Sequence, residues 1–368
     1  MRPVNYLAIV LLCVTLGVPI SGAAKSLSGA YLAARQADLE RDYRFSEQYY
    51  TRAVQQDPNN PVLMEHLIMA HMSLGQFAAA SPVAQRLDAQ QVDSQLVNMM
   101  QIATSAEQGQ YDSILQRIDQ GKGIGALIDR LLVAWAITGQ GRMSDALKAF
   151  DEVAKKQGVE AFARYHKALA LAHAGDFESA AEIFEQTVEA GIRLTRRGVI
   201  AQIQVLSQLD LDDQAIAVLD LNFDASVDPE ISNVRQRLSA GETLDFSIVR
   251  TPREGLAEVF YSIANILSAD AEADYTLFYT RIAEYLRPDH LDAVLFSASL
   301  LEQLEQYELA SQNYTKIPTS APSFHNAELG RADTLQRSGN FDAAIEVLEK
   351  LARTHTCLLY TSPSPRDS

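Results

Sequence analysis

The sequence predicts an all-α solenoid assembled from repeated helix–turn–helix units, and three observations carry that prediction. Apolar residues recur at helical spacing in short blocks, as in Ala163, Ala168, Leu171 and Ala172 before a break and Ala180, Ala181, Phe184 and Val188 after it. The break reads Gly175-Asp176-Phe177, a glycine where a helix C-terminus belongs followed by an aspartate able to cap the next helix. The unit then recurs, with starts at Leu27, Pro61, Gln95, Leu127, Ala161, Arg196, Ala257, Leu291 and His325, mostly 34 residues apart. A single short pair cannot bury its apolar face alone, so units of this kind must stack on one another.

Taken in order, residues 1–24 have the form of an export leader. Arg2 precedes an apolar run from Tyr6 to Leu16, Pro19 breaks it, and Ser21-Gly22-Ala23-Ala24 supplies small residues for cleavage near Ala23 or Ala24. The run is short for a bilayer span, which favours a cleaved leader and a periplasmic chain over one anchored in the inner membrane. Cys13 lies inside the run rather than after small residues at its end, an arrangement unsuited to lipid attachment. An N-terminal array of about six units is expected over 27–226 and a C-terminal array of about three over 257–356. Between them, over 227–256, the period fails, and Gly241-Glu242-Thr243 and Arg250-Thr251-Pro252 flank an extended-looking Leu244–Val249, so this stretch reads as an irregular insert or hinge. Residues 357–368, CLLYTSPSPRDS, lose all helical periodicity, resemble translated sequencing adapter, and are set aside.

The columns of the repeat are specific. Small residues stand in the first helix at Ala34, Ala134, Ala168, Ala264, Ala298 and Ala332, and at the start of the second at Ser46, Ala80, Ala146, Ala180, Ala215, Ala310 and Ala344. The turn carries an aromatic at Tyr43, Phe77, Tyr111, Phe177, Tyr307 and Phe341, and Pro58, Pro288 and Pro322 close second helices, which proline cannot continue. With its 34-residue period the chain resembles the tetratricopeptide repeat family, in particular exported bacterial members of uncharacterised function. The resemblance covers nearly everything from Leu27 to His355 and implies a right-handed superhelical solenoid. Ile114, Met143 and Asp212 depart from the columns, as do Ala273 and Thr276.

Composition narrows the function. The chain carries 31 Lys and Arg against 47 Asp and Glu, and without a basic stripe this excess of acid disfavours nucleic acid and anionic lipid. Setting both ends aside removes Cys13 and Cys357, and with them any disulfide framework, thiolate metal site or cysteine nucleophile. His66 and His71 are about 140° apart around a helix, and His166 and His173 are two turns apart, so neither pair has metal-ligand spacing and all four are expected at the surface or in a groove. Gly121-Lys122-Gly123-Ile124-Gly125 lacks the spacing of a phosphate loop and reads as an inter-unit turn. No catalytic constellation, cofactor site or metal site is expected.

The family resemblance implies that the first helix of each unit lines a concave groove. Its inward positions hold an apolar, Met- and aromatic-rich centre, with Met69, Met72, Met99, Leu131, Trp135, Phe162, Tyr165 and Leu169 as candidate partner-binding residues. Polarizable, adaptable side chains of this kind suit a peptide or helix ligand. Trp135, Phe162 and Tyr165 are the expected anchors. Packing of the stripe within a tight superhelix, or against the insert, is the competing reading, because apolar stripes at helical spacing are commonly core. The expected function is a non-catalytic scaffold of the cell envelope whose partner is another protein or peptide. The alternative is an accessory subunit of envelope or polysaccharide biosynthesis or export machinery, binding glycan or the enzyme itself.

Overall fold

The computed structural model describes residues 27–156, 158–224 and 229–354, and among them there are nineteen α-helices and no strand. The leader and tail expected at the two ends lie outside the described residues. Six helix pairs come first: α1 (Leu27–Leu39) with α2 (Tyr43–Gln56), α3 (Pro61–Ser73) with α4 (Phe77–Ala89), α5 (Gln95–Glu107) with α6 (Tyr111–Asp119), α7 (Ala126–Gly139) with α8 (Met143–Ala154), α9 (Glu160–His173) with α10 (Phe177–Glu189), and α11 (Arg196–Gln208) with α12 (Asp212–Asn222). A single helix, α13 (Pro229–Ser239), follows. Three more pairs complete the chain: α14 (Pro252–Leu267) with α15 (Ala273–Leu286), α16 (Leu291–Gln303) with α17 (Tyr307–Tyr314), and α18 (Phe324–Arg337) with α19 (Phe341–Thr354).

Local chemistry sets these boundaries. Gly175 takes φ +83°, the left-handed conformation that ends α9, and the Asp176 carboxylate then accepts from the Ser179 amide at 3.1 Å to begin α10. Asn60 and Thr251 cap α3 and α14 in the same way, each followed by a proline whose missing N–H costs nothing at that position. Within each pair the small columns are fully buried, as at Ala34, Ala168, Ala180 and Ala264, so neighbouring helices approach closely.

The stretch that breaks the period is not irregular throughout. It contains α13, then an extended run fastened along α11, then the first turn of α14, which starts at Pro252 rather than at Ala257. Ser207 accepts from the Leu244 amide at 2.9 Å, Gln208 donates to the Leu244 carbonyl at 2.7 Å, and Gln204 accepts from the Ser247 amide at 2.9 Å. Arg287 holds the other side by donating to the Ser247 and Ile248 carbonyls.

This tether delivers α14 and α15 into the concave face of the first array. There α14 packs against α5, α7 and α9, and α15 against α3, α4 and α5. One hydrophobic core therefore runs from Ala34 to Ala293, through the N-terminal units and both inserted helices. The rim is closed by polar contacts: Tyr43 donates to Asp274, Arg44 pairs with Glu308 at 3.0 Å, and the Tyr275 hydroxyl donates to Gln95 at 2.9 Å.

Candidate functional site

The inserted hairpin decides what the expected groove residues face. Met72, Met99, Leu131, Trp135 and Leu169 are each no more than 1% exposed, and the concave surface they form is covered by the chain's own α14 and α15 instead of standing open. Trp135 shows why. Gly255 of α14 lies directly on the indole, so closely that a Cβ there would overlap the ring, while Phe150 meets it edge-on at 5.8 Å. The indole N–H donates to His166 Nδ1 at 3.1 Å. Met69 is half-buried against the same core, and Phe162 and Tyr165 remain part-exposed.

His166 and His71 are likewise buried rather than at the surface, the first with no exposure and the second held by Gln76 at 2.9 Å. The other two are half-buried: His66 stacks on Tyr50 of α2 with its Nδ1 3.2 Å from Asp38 of α1, and His173 lies at the end of α9. In the glycine-rich run, the Ile124 amide donates to Asp129 at 2.7 Å, so the chain's own carboxylate fills the place an anion would take.

Because the Nδ1 lone pair of His166 accepts from Trp135, its ring is the neutral tautomer with the proton on Nε2, which has no partner among the described residues. Burial pushes this imidazole down to about 4. A histidine in the unfolded chain titrates near 6.5, so between those two values the unfolded state binds a proton that the folded state refuses, and stability falls as pH falls through the window. The loss saturates at about 3 kcal/mol. Urea unfolding at pH 6.5, 5.5 and 4.5 should show this decline, and His166→Gln should flatten it by roughly 1.4 kcal/mol per pH unit. An unchanged slope in the variant would assign the decline to other groups.

Phe162 and Tyr165 open onto a cavity of about 400 Å³ between α9, the turn leading into α11, α11 itself and α14. Its walls are mainly apolar: Phe162, Ile192, Leu194, Tyr261 and Ile266. Its floor is charged. Glu258, whose side chain is 1% exposed, accepts from Arg197 Nη2 at 2.7 Å and Nε at 3.0 Å, from the Tyr165 hydroxyl at 2.8 Å, and lies 3.2 Å from His290 Nε2. Arg197 also pairs with Asp292 and lies 5.5 Å above the Tyr261 ring. His290 Nδ1 accepts from the Ala293 amide and thereby caps α16, which leaves its Nε2–H to donate to Glu258.

The electrostatics of the floor are those of a completed network. Burial alone would raise the Glu258 carboxyl, but the Arg197 guanidinium and the His290 donor more than offset it and hold it well below the usual carboxylate range. Burial and the Arg197 charge together lower the His290 imidazole, keeping it neutral. Burial and the neighbouring Glu258 charge raise the Tyr165 hydroxyl, so it stays a donor. Every member already has its partner, and the network fixes the shape of the cavity.

Residues 39–101 and 138–193 each match a family model described as tetratricopeptide repeat. No curated protein matches the chain. Among solved structures it is similar to one of Naa15/Naa10 bound to HypK-THB, at 13% identity over 91% of this chain and 59% of that one, with a TM-score of 0.34. The P58(IPK) TPR domain is similar at 14% identity over 88% of this chain and 98% of that one (TM-score 0.23), and yeast Tom70 at 14% identity over 90% and 92% (TM-score 0.26). Residues 39–101 and 138–193 are thus tetratricopeptide repeat sequence, and the 34-residue register and paired helices carry the same helix–turn–helix unit along most of the described residues.

Proposed function

We propose that the chain is a non-catalytic interaction scaffold of the bacterial cell envelope, and that it takes a segment of a partner protein in the cavity between α9, α11 and α14. Tetratricopeptide repeats generally mediate protein–protein interaction, which sets the class. The observation that carries the reading is the cavity itself: about 400 Å³, walled by Phe162, Tyr261 and Ile266, and floored by ion pairs satisfied within the chain. A pre-formed concave site with apolar walls and a few fixed polar groups is what a bound segment requires. The leader-like residues 1–24 support export to the periplasm.

A photo-crosslinking residue at Ile266, on the cavity wall and 42% exposed, is the direct test, with Leu221, 82% exposed and outside the cavity, as control. In envelope extract, position 266 should yield a discrete adduct that position 221 does not, and Phe162→Ala should weaken it several-fold. Identical adducts from both positions would defeat the proposal.

A further inference from the structure

We infer that the segment bound in this cavity carries a bulky apolar side chain next to a carboxylate, and that Arg193 is the residue that reads the carboxylate. This rests on the reading of the cavity as a partner-binding site and specifies its ligand. The argument begins from charge. Three arginines and two carboxylates line the cavity. Both carboxylates, Glu258 and Asp292, are committed to Arg197, and Arg196 pairs with Glu230 at 2.8 Å. That leaves Arg193, exposed on the turn between α10 and α11, with no hydrogen bond or ion pair to any described residue.

Arg35 and Arg130 are also exposed arginines without a hydrogen bond or ion pair to a described residue, but neither lines the cavity; Arg193 gives the cavity an uncompensated positive charge in a chain whose formal charge is −16 and whose other surface mostly repels an acidic partner. Beside an apolar cavity it fits a carboxylate on a segment whose neighbouring side chain is buried, since the planar guanidinium bonds a carboxylate through two parallel N–H groups. A basic segment would instead meet Arg193 as a like charge. A purely apolar segment would bury its side chain and leave the guanidinium without a use. Within the cavity, Asn265 donates its amide to the Tyr261 carbonyl at 2.9 Å, which leaves its amide oxygen to accept from a ligand N–H.

The probe is a phage-displayed library of random peptides selected on the full chain, with the recovered peptides remade and their affinities measured by fluorescence anisotropy. Arg193 and Ile266 are both exposed, so Arg193→Ala and Ile266→Glu leave the fold in place, which circular dichroism verifies. Expected are peptides in which Phe, Leu or Ile adjoins Asp or Glu. Their binding should weaken about tenfold in Arg193→Ala and on amidation of the acidic side chain, weaken by less in Arg193→Lys, which keeps the charge but loses the two-pronged contact, and vanish in Ile266→Glu. Peptides blocked by Ile266→Glu but indifferent to Arg193→Ala, or lacking an acidic residue, would overturn this inference while leaving the cavity as the binding site. Recovery of no peptide that depends on Ile266 would overturn both.

Discussion

Replacing Trp135 by alanine is expected to lower the free energy of unfolding by about 3–5 kcal/mol, the cost of removing a buried tryptophan from a close-packed core. The indole is fully buried between Phe150, His166 and the Gly255 backbone of α14, so its loss leaves a void at the contact joining the first array to the inserted hairpin. It also strips the donor from His166. The same contact can be attacked from the other side. Gly255→Ala drives a methyl group into the indole and should cost about 1–3 kcal/mol by overpacking. In the Trp135→Ala background that methyl enters the void, so its penalty should vanish or reverse, giving a coupling energy above about 1 kcal/mol. Urea unfolding followed by circular dichroism measures all four states of the cycle. A cost below about 1 kcal/mol for Trp135→Ala would mean that the indole is not buried by α14 and stands free for a partner.

That prediction differs from what the isolated sequence suggests for Trp135, and the difference is instructive. The helix pairs were legible because their signals are local: Asn60 before Pro61, Gly175 before Asp176, and small residues at fixed offsets act within one turn of helix. The inward stripe was legible as apolar. What covers it was not, because Leu131, Trp135 and Leu169 have the same spacing whether a partner or the chain's own α14 lies on them. A signal for self-coverage was present in Leu256–Leu267, LAEVFYSIANIL, which is apolar around most of its circumference and so belongs inside the molecule. Phe162 and Tyr165, near the start of α9, reach the cavity that α9 shares with Glu258, Tyr261 and Ile266 of α14. Arg197 and Asp292 could not be read as neighbours, being 95 residues apart. Glu258, a lone carboxylate within that apolar helix, did announce a buried partner, since a buried charge must be paired, but nothing in the sequence names Arg197 as the partner.

Glu258→Ala should accordingly be among the most damaging single changes, at about 3–5 kcal/mol, because it leaves charge and donors buried without an acceptor. Arg197, with 11% of its side chain exposed, would keep only Asp292, and the Tyr165 hydroxyl and His290 Nε2–H would lose the oxygens they donate to. Much of the cost is abandonment of the Arg197 charge rather than the worth of the pair, and this is testable: replacing both members with apolar residues, Arg197→Met with Glu258→Leu, should recover that share of the loss, while the Tyr165 and His290 donors stay unpaired. The pH dependence has a fixed sign. The folded carboxyl is held well below the ordinary glutamate value of 4.5, so its contribution is complete above that pH and is lost as pH falls toward the folded value. In Glu258→Ala that acid-side loss should shrink, whereas the decline between pH 6.5 and 4 that arises from His166 should persist. Urea midpoints measured across pH 3–7 for the wild type, the single variant and the double variant separate the two contributions. A double variant no more stable than Glu258→Ala would show that the network supplies packing geometry that an apolar floor cannot replace, and with it the shape of the cavity above.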